Sequence, residues 1–440
     1  MYECPKRYAP ITQGAKTWPD TSRLFELQRS PLARLLALVS LQAPGLCILL
    51  SNMDLSLYCQ SNLLYTQESL SKYQAGGYHP VNLGDTFEND RYKIYHKLGW
   101  GGFSTVWLAK DRDRNEWVSL KIMTANSSIS QELQNLEFLE KQSQRGLSSN
   151  YIVQLLDAFL HKGPNGDHQC LVFELLGPSV DKVLYDYSGS DEKLDPEIVL
   201  RISTQLLKAV KFIHNAGMCH GDISGRNIAF TCTHLSKQTE EQLFDVIGSP
   251  EIEPLKRIDG TPLGNELPIQ LIKAAEWTHW IDEDEEDIRL LDFGESFYQG
   301  QEPQKLAQPG SLRVPETIFT DCFDYRVDLW RTGCMIYSFL FTTWPFWYLG
   351  EDDVLISQMI GFVEERLPTE WESKWESMQT SSHDLELEDH GTSKLEQKFV
   401  ELSDPALEPL LHVIQGLMRF LPSSRLTAEG ALDLLGNAQD

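Results

Sequence analysis

The sequence predicts an α+β fold in which a small β-rich lobe precedes a larger, mainly α-helical one. Between Tyr92 and Leu175, short runs rich in β-branched and aromatic residues alternate with turn residues. Beyond Gly177 the apolar period becomes helical, and one run, Val327–Phe341, is apolar on nearly every side, as a buried core helix would be. With 41% hydrophobic and 23% charged residues over 440 positions, the chain has ordinary globular composition and enough length for more than one domain.

Taken in order, residues 1–67 show no clear core pattern. The apolar stretch 32–50 is interrupted by Arg34, Gln42 and Pro44. It falls short of the roughly 20 apolar residues a spanning helix needs, so no membrane partner is expected. The first 50 residues carry six Lys/Arg against three acids, a balance that fits an organelle-targeting segment, while Met53 precedes better-behaved sequence. Residues 68–91 form a pre-domain segment. Tyr92–Leu98, Ser104–Ala109 and Trp117–Met123 read as strands. Ser128–Gln142 reads as a helix with Leu133, Leu136 and Leu139 on one side, and Ile152–Phe159 and Gln169–Leu175 as two more strands. These make a first lobe over 92–177. In the second, 178–435, Asp195 and Pro196 open a helix running to about Ala216, with proline at a favoured first-turn position. Val327–Phe341, Pro405–Phe420 and Thr427–Leu435 are the later helices.

The formal net charge is −26, unevenly placed. Residues 231–288 hold 14 acids against 4 Lys/Arg, and residues 344–404 hold 15 against 4. The irregular inserts expected near 231–288 and 363–404 coincide with these windows, and acidic loops of this kind are often simply solvated. Such charge argues against nucleic acid as a direct partner and favours basic partners. Eight cysteines with no C-x-x-C pair read as reduced thiols of a cytoplasmic or nuclear protein.

The chemistry concentrates in His220-Gly221-Asp222-Ile223-Ser224-Gly225-Arg226-Asn227. A carboxylate and a carboxamide five positions apart on a tight loop suit phosphoryl transfer. Asp222 accepts the proton of an attacking hydroxyl, and Asn227 holds a magnesium ion on nucleotide phosphates. Gly99-Trp100-Gly101-Gly102-Phe103-Ser104-Thr105-Val106 lies between two strands. Its glycines let backbone approach phosphates, and Val106 stands where it would cover a purine. Lys121 closes an apolar strand and is costly to bury unpaired, with Glu132 as its candidate partner. Leu290-Leu291-Asp292-Phe293-Gly294 ends a buried strand on an acid able to ligate magnesium. Asp292 follows Asp222 by 70 residues, so the 231–288 insert is expected to loop out. Further on, Glu316 and Arg425 are expected to form a buried ion pair, and Asp328 to accept catalytic-loop N–H groups.

These elements, in this order, resemble a eukaryotic protein kinase domain with its bilobal fold. More narrowly, the chain from Glu68 onward resembles the SR-protein kinases. That likeness is carried by Gly77-Tyr78-His79-Pro80-Val81 with Gly84-Asp85, by His96–Ala109, by Val153-Gln154-Leu155-Leu156-Asp157, and by Val172-Phe173-Glu174-Leu175-Leu176-Gly177. The resemblance implies ATP and Mg2+ as cofactors and Arg/Ser-rich proteins, such as splicing factors, as basic substrates. It places Phe173 at the back of the nucleotide pocket and the backbone of Glu174 and Leu176 against adenine. It also implies an acidic docking groove, for which Glu351, Asp352 and Asp353 are candidates.

Two positions depart from the family pattern. Gly221 replaces an arginine that usually pairs with a phosphorylated activation loop, which points to constitutive activity. Ser224 replaces a lysine that stabilises the transferring phosphate, and Arg226 is the expected substitute. The departures also fit a pseudokinase scaffold that binds without turnover. His-Gly-Asp with the later Asn occurs in small-molecule phosphotransferases too, although Glu316, Asp328 and Arg425 belong to the peptide-binding side of protein kinases.

Overall fold

The computed structural model describes residues 53–125, 130–145, 150–188, 193–280, 285–320, 322–363, 365–379, 393–402 and 404–436. The targeting reading of residues 1–52 lies outside them. The first lobe is built on a six-stranded antiparallel sheet: β1 (Thr86–Phe87), β2 (Tyr92–Trp100), β3 (Ser104–Asp111), β4 (Glu116–Met123), β5 (Leu155–Gly163) and β6 (Gly166–Glu174), ordered β1-β2-β3-β4-β6-β5. Helix α1 (Gln131–Ser143) interrupts strand order between β4 and β5. Alternation sets the faces: in β4, Val118, Leu120 and Ile122 turn to one core and Trp117 to the other. The expected strands end early because Gly99, Lys110 and Asp111 lack a strand signature; hairpin pairing extends the two strands to Trp100 and Asp111 regardless.

The second lobe begins with β7 (Leu176–Ser179), α2 (Val180–Tyr187) and α3 (Pro196–Asn215). Ser179 caps α2 by accepting the Lys182 N–H. Strand β8 (Ile228–Thr231) follows the catalytic loop, and then the insert begins. It is not the irregular outward loop expected. It forms α4 (Glu240–Ile247), closed by a Thr239/Gln242 capping box, and a hairpin of β9 (Ile252–Pro254) with β10 (Gln270–Ile272). Strand β11 (Ile288–Leu290) then pairs with β8, so the insert leaves and rejoins one small sheet and the 70-residue gap leaves the catalytic loop undisturbed.

The insert folds back over the first lobe. Leu255, Leu267 and Leu271 bury against Tyr58, Leu63, Leu64, Leu70, Tyr73 and Tyr78 of the N-terminal segment, forming a third hydrophobic cluster. Each buried leucine contributes about 1.5–3 kcal/mol. Gln270 Oε1 accepts the Leu83 N–H, Glu253 Oε2 accepts the Leu63 N–H, and Gln67 Oε1 accepts the Ala274 N–H. Residues 53–67, which showed no core pattern, therefore belong to a core shared with the insert. Short helical turns with one or two apolar residues each give no period to read.

Helix α5 (Val327–Phe341) is the axis of the larger lobe, and every residue in it is buried. Around it lie α3, α6 (Asp352–Phe362), α7 (Thr369–Met378), α8 (Lys394–Val400), α9 (Glu408–Leu417) and α10 (Ala428–Gly436). The expected helix 405–420 is shorter, because a 3-10 turn at Pro405–Leu407 precedes α9. The 363–404 window contains α7 and α8 rather than continuous loop. No helix among the described residues is long and apolar enough to cross a membrane.

Candidate active site

The catalytic loop follows the short strand Met218–Cys219 and ends at β8. Its anchor is Asp328, in the first turn of α5 and fully buried. The carboxylate accepts the N–H groups of His220 at 2.7 Å and Gly221 at 3.0 Å, as the sequence predicts, and lies 3.1 Å from His214 Nε2. Burial opposes its charge, but the His214 contact and the loop hydrogen bonds outweigh burial and hold Asp328 below the usual carboxylate range. Gly221 has φ of 79°, and a Cβ there would sit 2.6 Å from the Glu295 carbonyl oxygen. This backbone therefore requires glycine at 221, a steric reason independent of any regulatory one.

Asp222 is about a quarter exposed, and Asn227 Nδ2 donates to both its carbonyl and its Oδ2 at 2.8 Å. Burial raises the Asp222 pKa, while Arg331 and His220 pull it back. With Nδ2 committed, Asn227 keeps its Oδ1 for a cation. Lys121 joins Glu132 Oε2 at 2.7 Å and Asp292 Oδ1 at 3.0 Å, bringing together three residues from β4, α1 and the end of β11. Burial would lower the Lys121 pKa, but the two carboxylates overcome it and raise it, while burial raises that of Glu132. Asp292 is pulled down chiefly by Lys121 against the effect of burial, and its backbone is left-handed with φ 65°. Among the described residues no group of three or more His, Cys, Asp or Glu side chains has metal-holding geometry. The pair Asn227 and Asp292 fits a hard cation that takes its remaining oxygen ligands from phosphates and water.

The Gly-rich loop is the β2–β3 turn. Ser104 O accepts the Gly101 N–H, Trp100 and Phe103 are exposed, and a Cβ at Gly99, Gly101 or Gly102 would meet open space. Thr105 is buried and bonds Trp107 Nε1, while Val106 pairs with Lys121 across the sheet. Tyr78 hydroxyl and Lys72 Nζ donate to the carbonyls of Gly101 and Gly102, so the N-terminal segment holds this loop from outside. Phe173 is buried at the end of β6, Glu174 lies 3.4 Å from Arg289, and Leu176 begins β7.

Two sequence expectations meet different geometry. Arg226 is 86% exposed and lies 3.5 Å from Asp181; no ion pair joins it to Asp222 or Asp292. Its expected role requires a swing off Asp181, which that exposure permits. Asp352 is not a free docking acid, because it binds Arg313 and the Tyr348 hydroxyl. Glu316 and Arg425 do pair, through two bonds of 2.7 and 2.6 Å.

Sequence reasoning passed over two residues. Asn135 is fully buried and donates to the carbonyls of Phe293 at 2.9 Å and Ser296 at 3.0 Å. Its signal was its position three residues after Glu132, on the same helix face. Arg331 is a fully buried guanidinium on α5, 3.7 Å from Asp222 Oδ1. Its signal was a cation inside an otherwise apolar helix.

Residues 92–239 match the protein kinase domain family. The chain is 38% identical over 168 residues to the protein kinase dsk1 of Schizosaccharomyces pombe, a match covering 37% of this chain and 30% of dsk1. It is 28% identical over 297 residues to the serine/threonine-protein kinase SRPK of Physarum polycephalum, covering 62% and 65% of the two chains. For Saccharomyces cerevisiae SKY1 the identity is 38% over 170 residues, and the match spans only 23% of that protein. A solved kinase-domain structure superposes with a TM-score of 0.54 at 17% identity, covering 81% of this chain and 98% of that one, a likeness of fold alone. The bilobal fold, the site geometry and these matches agree: the chain carries a protein kinase domain, similar in sequence to the SRPK serine/threonine kinases.

Proposed function

We propose that this chain is a serine/threonine protein kinase that transfers the γ-phosphoryl group of ATP to serines in Arg/Ser-rich proteins. The observation that carries the reading is the joined set Lys121–Glu132–Asp292 beside the bonded pair Asp222–Asn227. Asp222 orients the substrate hydroxyl and takes its proton, at a carboxylate that remains partly exposed. Lys121, steadied by Glu132, meets the nucleotide phosphates under the Gly-rich loop, and the backbone of Glu174 and Leu176 meets adenine. Asn227 and Asp292 would hold Mg2+, which neutralises charge building on the transferring phosphate. The acidic character of the chain supports a basic substrate.

The segment between Asp292 and Glu316 is tied down by contacts within the chain. Asn135 holds its start, Arg313 binds Asp352, and Gln308 Oε1 accepts the Val314 N–H. These contacts support activity independent of phosphorylation, as does glycine at 221. The proposed place of action is the cytoplasm and nucleus. The test is a radiolabelled-ATP assay with an Arg-Ser repeat peptide, a generic basic peptide and Asp222→Ala as control. Transfer to the Arg-Ser peptide by wild type alone supports the reading. Bound ATP with no transfer to either peptide points instead to a scaffold, the reading that buried Ser224 in the lysine position favours.

A further inference from the structure

Arg331 is an expensive residue to keep. Desolvating an arginine in the middle of a buried helix costs several kcal/mol, and an apolar side chain of similar volume often serves stability as well or better. Its neighbours Trp330, Cys334 and Met335 are fully buried core. Nor is it half of a close ion pair: the nearest carboxylate oxygen is Asp222 Oδ1 at 3.7 Å. Its N–H groups go instead to three backbone carbonyls in two separate parts of the chain. Nη1 donates to Gly221 O in the catalytic loop, Nη2 to Ala307 O, and Nε to Leu312 O at 3.4 Å in the segment before Glu316. The planar fork suits this, because its donors spread in fixed directions.

We infer that Arg331 is a positioning residue that clamps the segment between Asp292 and Glu316 to the catalytic loop and thereby sets Asp222. The charge that related kinases place at position 221 is supplied here from α5. It binds carbonyl oxygens rather than a phosphate, so no modification is needed to engage it. Gly221 and Arg331 are the two halves of one arrangement: glycine brings the loop backbone against Glu295, and the arginine caps the carbonyl that glycine presents. This inference rests on the kinase reading above, but its first measurement does not.

That measurement is amide hydrogen exchange of phosphatase-treated wild-type protein over residues 299–314. The Leu312 N–H bonds Pro309 O, Arg313 N–H bonds Gly310 O, and Val314 N–H bonds Gln308. All three are expected to be protected without phosphate; exchange as fast as in an unstructured peptide overturns the clamp. Arg331→Lys keeps the charge and loses the fork. It is expected to speed exchange in this segment at least tenfold, leave α10 unchanged, and lower kcat about 10²-fold with KM for ATP within threefold, since a displacement of about 1 Å costs that much. Arg331→Met is expected to do the same or more. A folded Arg331→Lys with wild-type exchange and wild-type kcat refutes the inference. Wild type that transfers no phosphate refutes the kinase reading instead, and the exchange comparison still decides the clamp.

Discussion

Replacing Glu68 by leucine tests whether the N-terminal segment is built into the first lobe. Glu68 Oε1 accepts the Tyr73 hydroxyl at 2.6 Å, and its Oε2 pairs with Lys97 Nζ. Lys97 is 1% exposed, and its ammonium lies 5.0 and 5.8 Å from the rings of Trp100 and Trp107. Burial pulls the Lys97 pKa down, and Glu68 pulls it back toward its ordinary value. Without Glu68 the ammonium is buried against ring faces alone. Breaking such a pair from one side costs about 3–5 kcal/mol. The lysine can also shed its proton, which caps the cost at pH 7 near 1.36 × (10.4 − 7), about 4.6 kcal/mol. We therefore expect Glu68→Leu to lose about 3–4 kcal/mol at pH 7 in guanidinium unfolding. The folded variant holds fewer protons than its unfolded chain, so its stability rises with pH up to the unfolded lysine value. At pH 9.5 the cap falls to 1.36 × 0.9, and the loss should shrink to about 1 kcal/mol. A loss under about 1 kcal/mol at pH 7, or one equal at both pH values, would falsify the account of this pair.

Three further outcomes follow from the geometry. His79 packs against His161 and His168 with ring centroids 4.6 and 5.0 Å away, and burial first, then the two neighbours, lowers its pKa to about 3. It is neutral in the fold while the unfolded chain takes up a proton below about pH 6.5, so stability should drop by about 2 kcal/mol between pH 7 and pH 5. His96, His161, His168 and His220, also held low chiefly by burial, steepen the same limb, so His79→Gln should make it shallower by about that amount, and an unchanged limb would locate the acid sensitivity elsewhere. Glu316→Leu should cost about 3–5 kcal/mol, and the double variant with Arg425→Met should recover most of it; additive losses would deny the coupling. Arg226→Ala should lower kcat by about 10²–10³ while nucleotide binding persists. Unchanged turnover would leave Arg226 as the surface partner of Asp181.

Long strong patterns were readable in the sequence, and features assembled from scattered short pieces were not. Helix Val327–Phe341 matched to the residue because fifteen consecutive positions pack on neighbours and only a helix fits the run. Lys121 and Glu132 were found as a pair because each is costly to bury without the other. The insert was misread because most of its described acids face solvent, while its few buried leucines are spaced by turns rather than by a period. Residues 53–67 were missed for the complementary reason: their apolar side chains are satisfied by a segment nearly 200 positions away. Arg331 escaped because the apolar character of its helix drew attention from the one cation in it. Arg226 shows a different limit, since spacing places a residue on a loop but does not say which way a long exposed side chain turns.

The central claim is phosphoryl transfer by Asp222 from ATP to serine. It is tested most directly by incubating wild-type protein, untreated and phosphatase-treated, with labelled ATP and an Arg-Ser repeat peptide beside Asp222→Ala. The account predicts labelled phosphoserine from both wild-type samples and a loss of turnover of several orders of magnitude in the variant, with ATP still bound. Equal labelling by wild type and Asp222→Ala, or none by a wild-type protein that binds ATP, would contradict it.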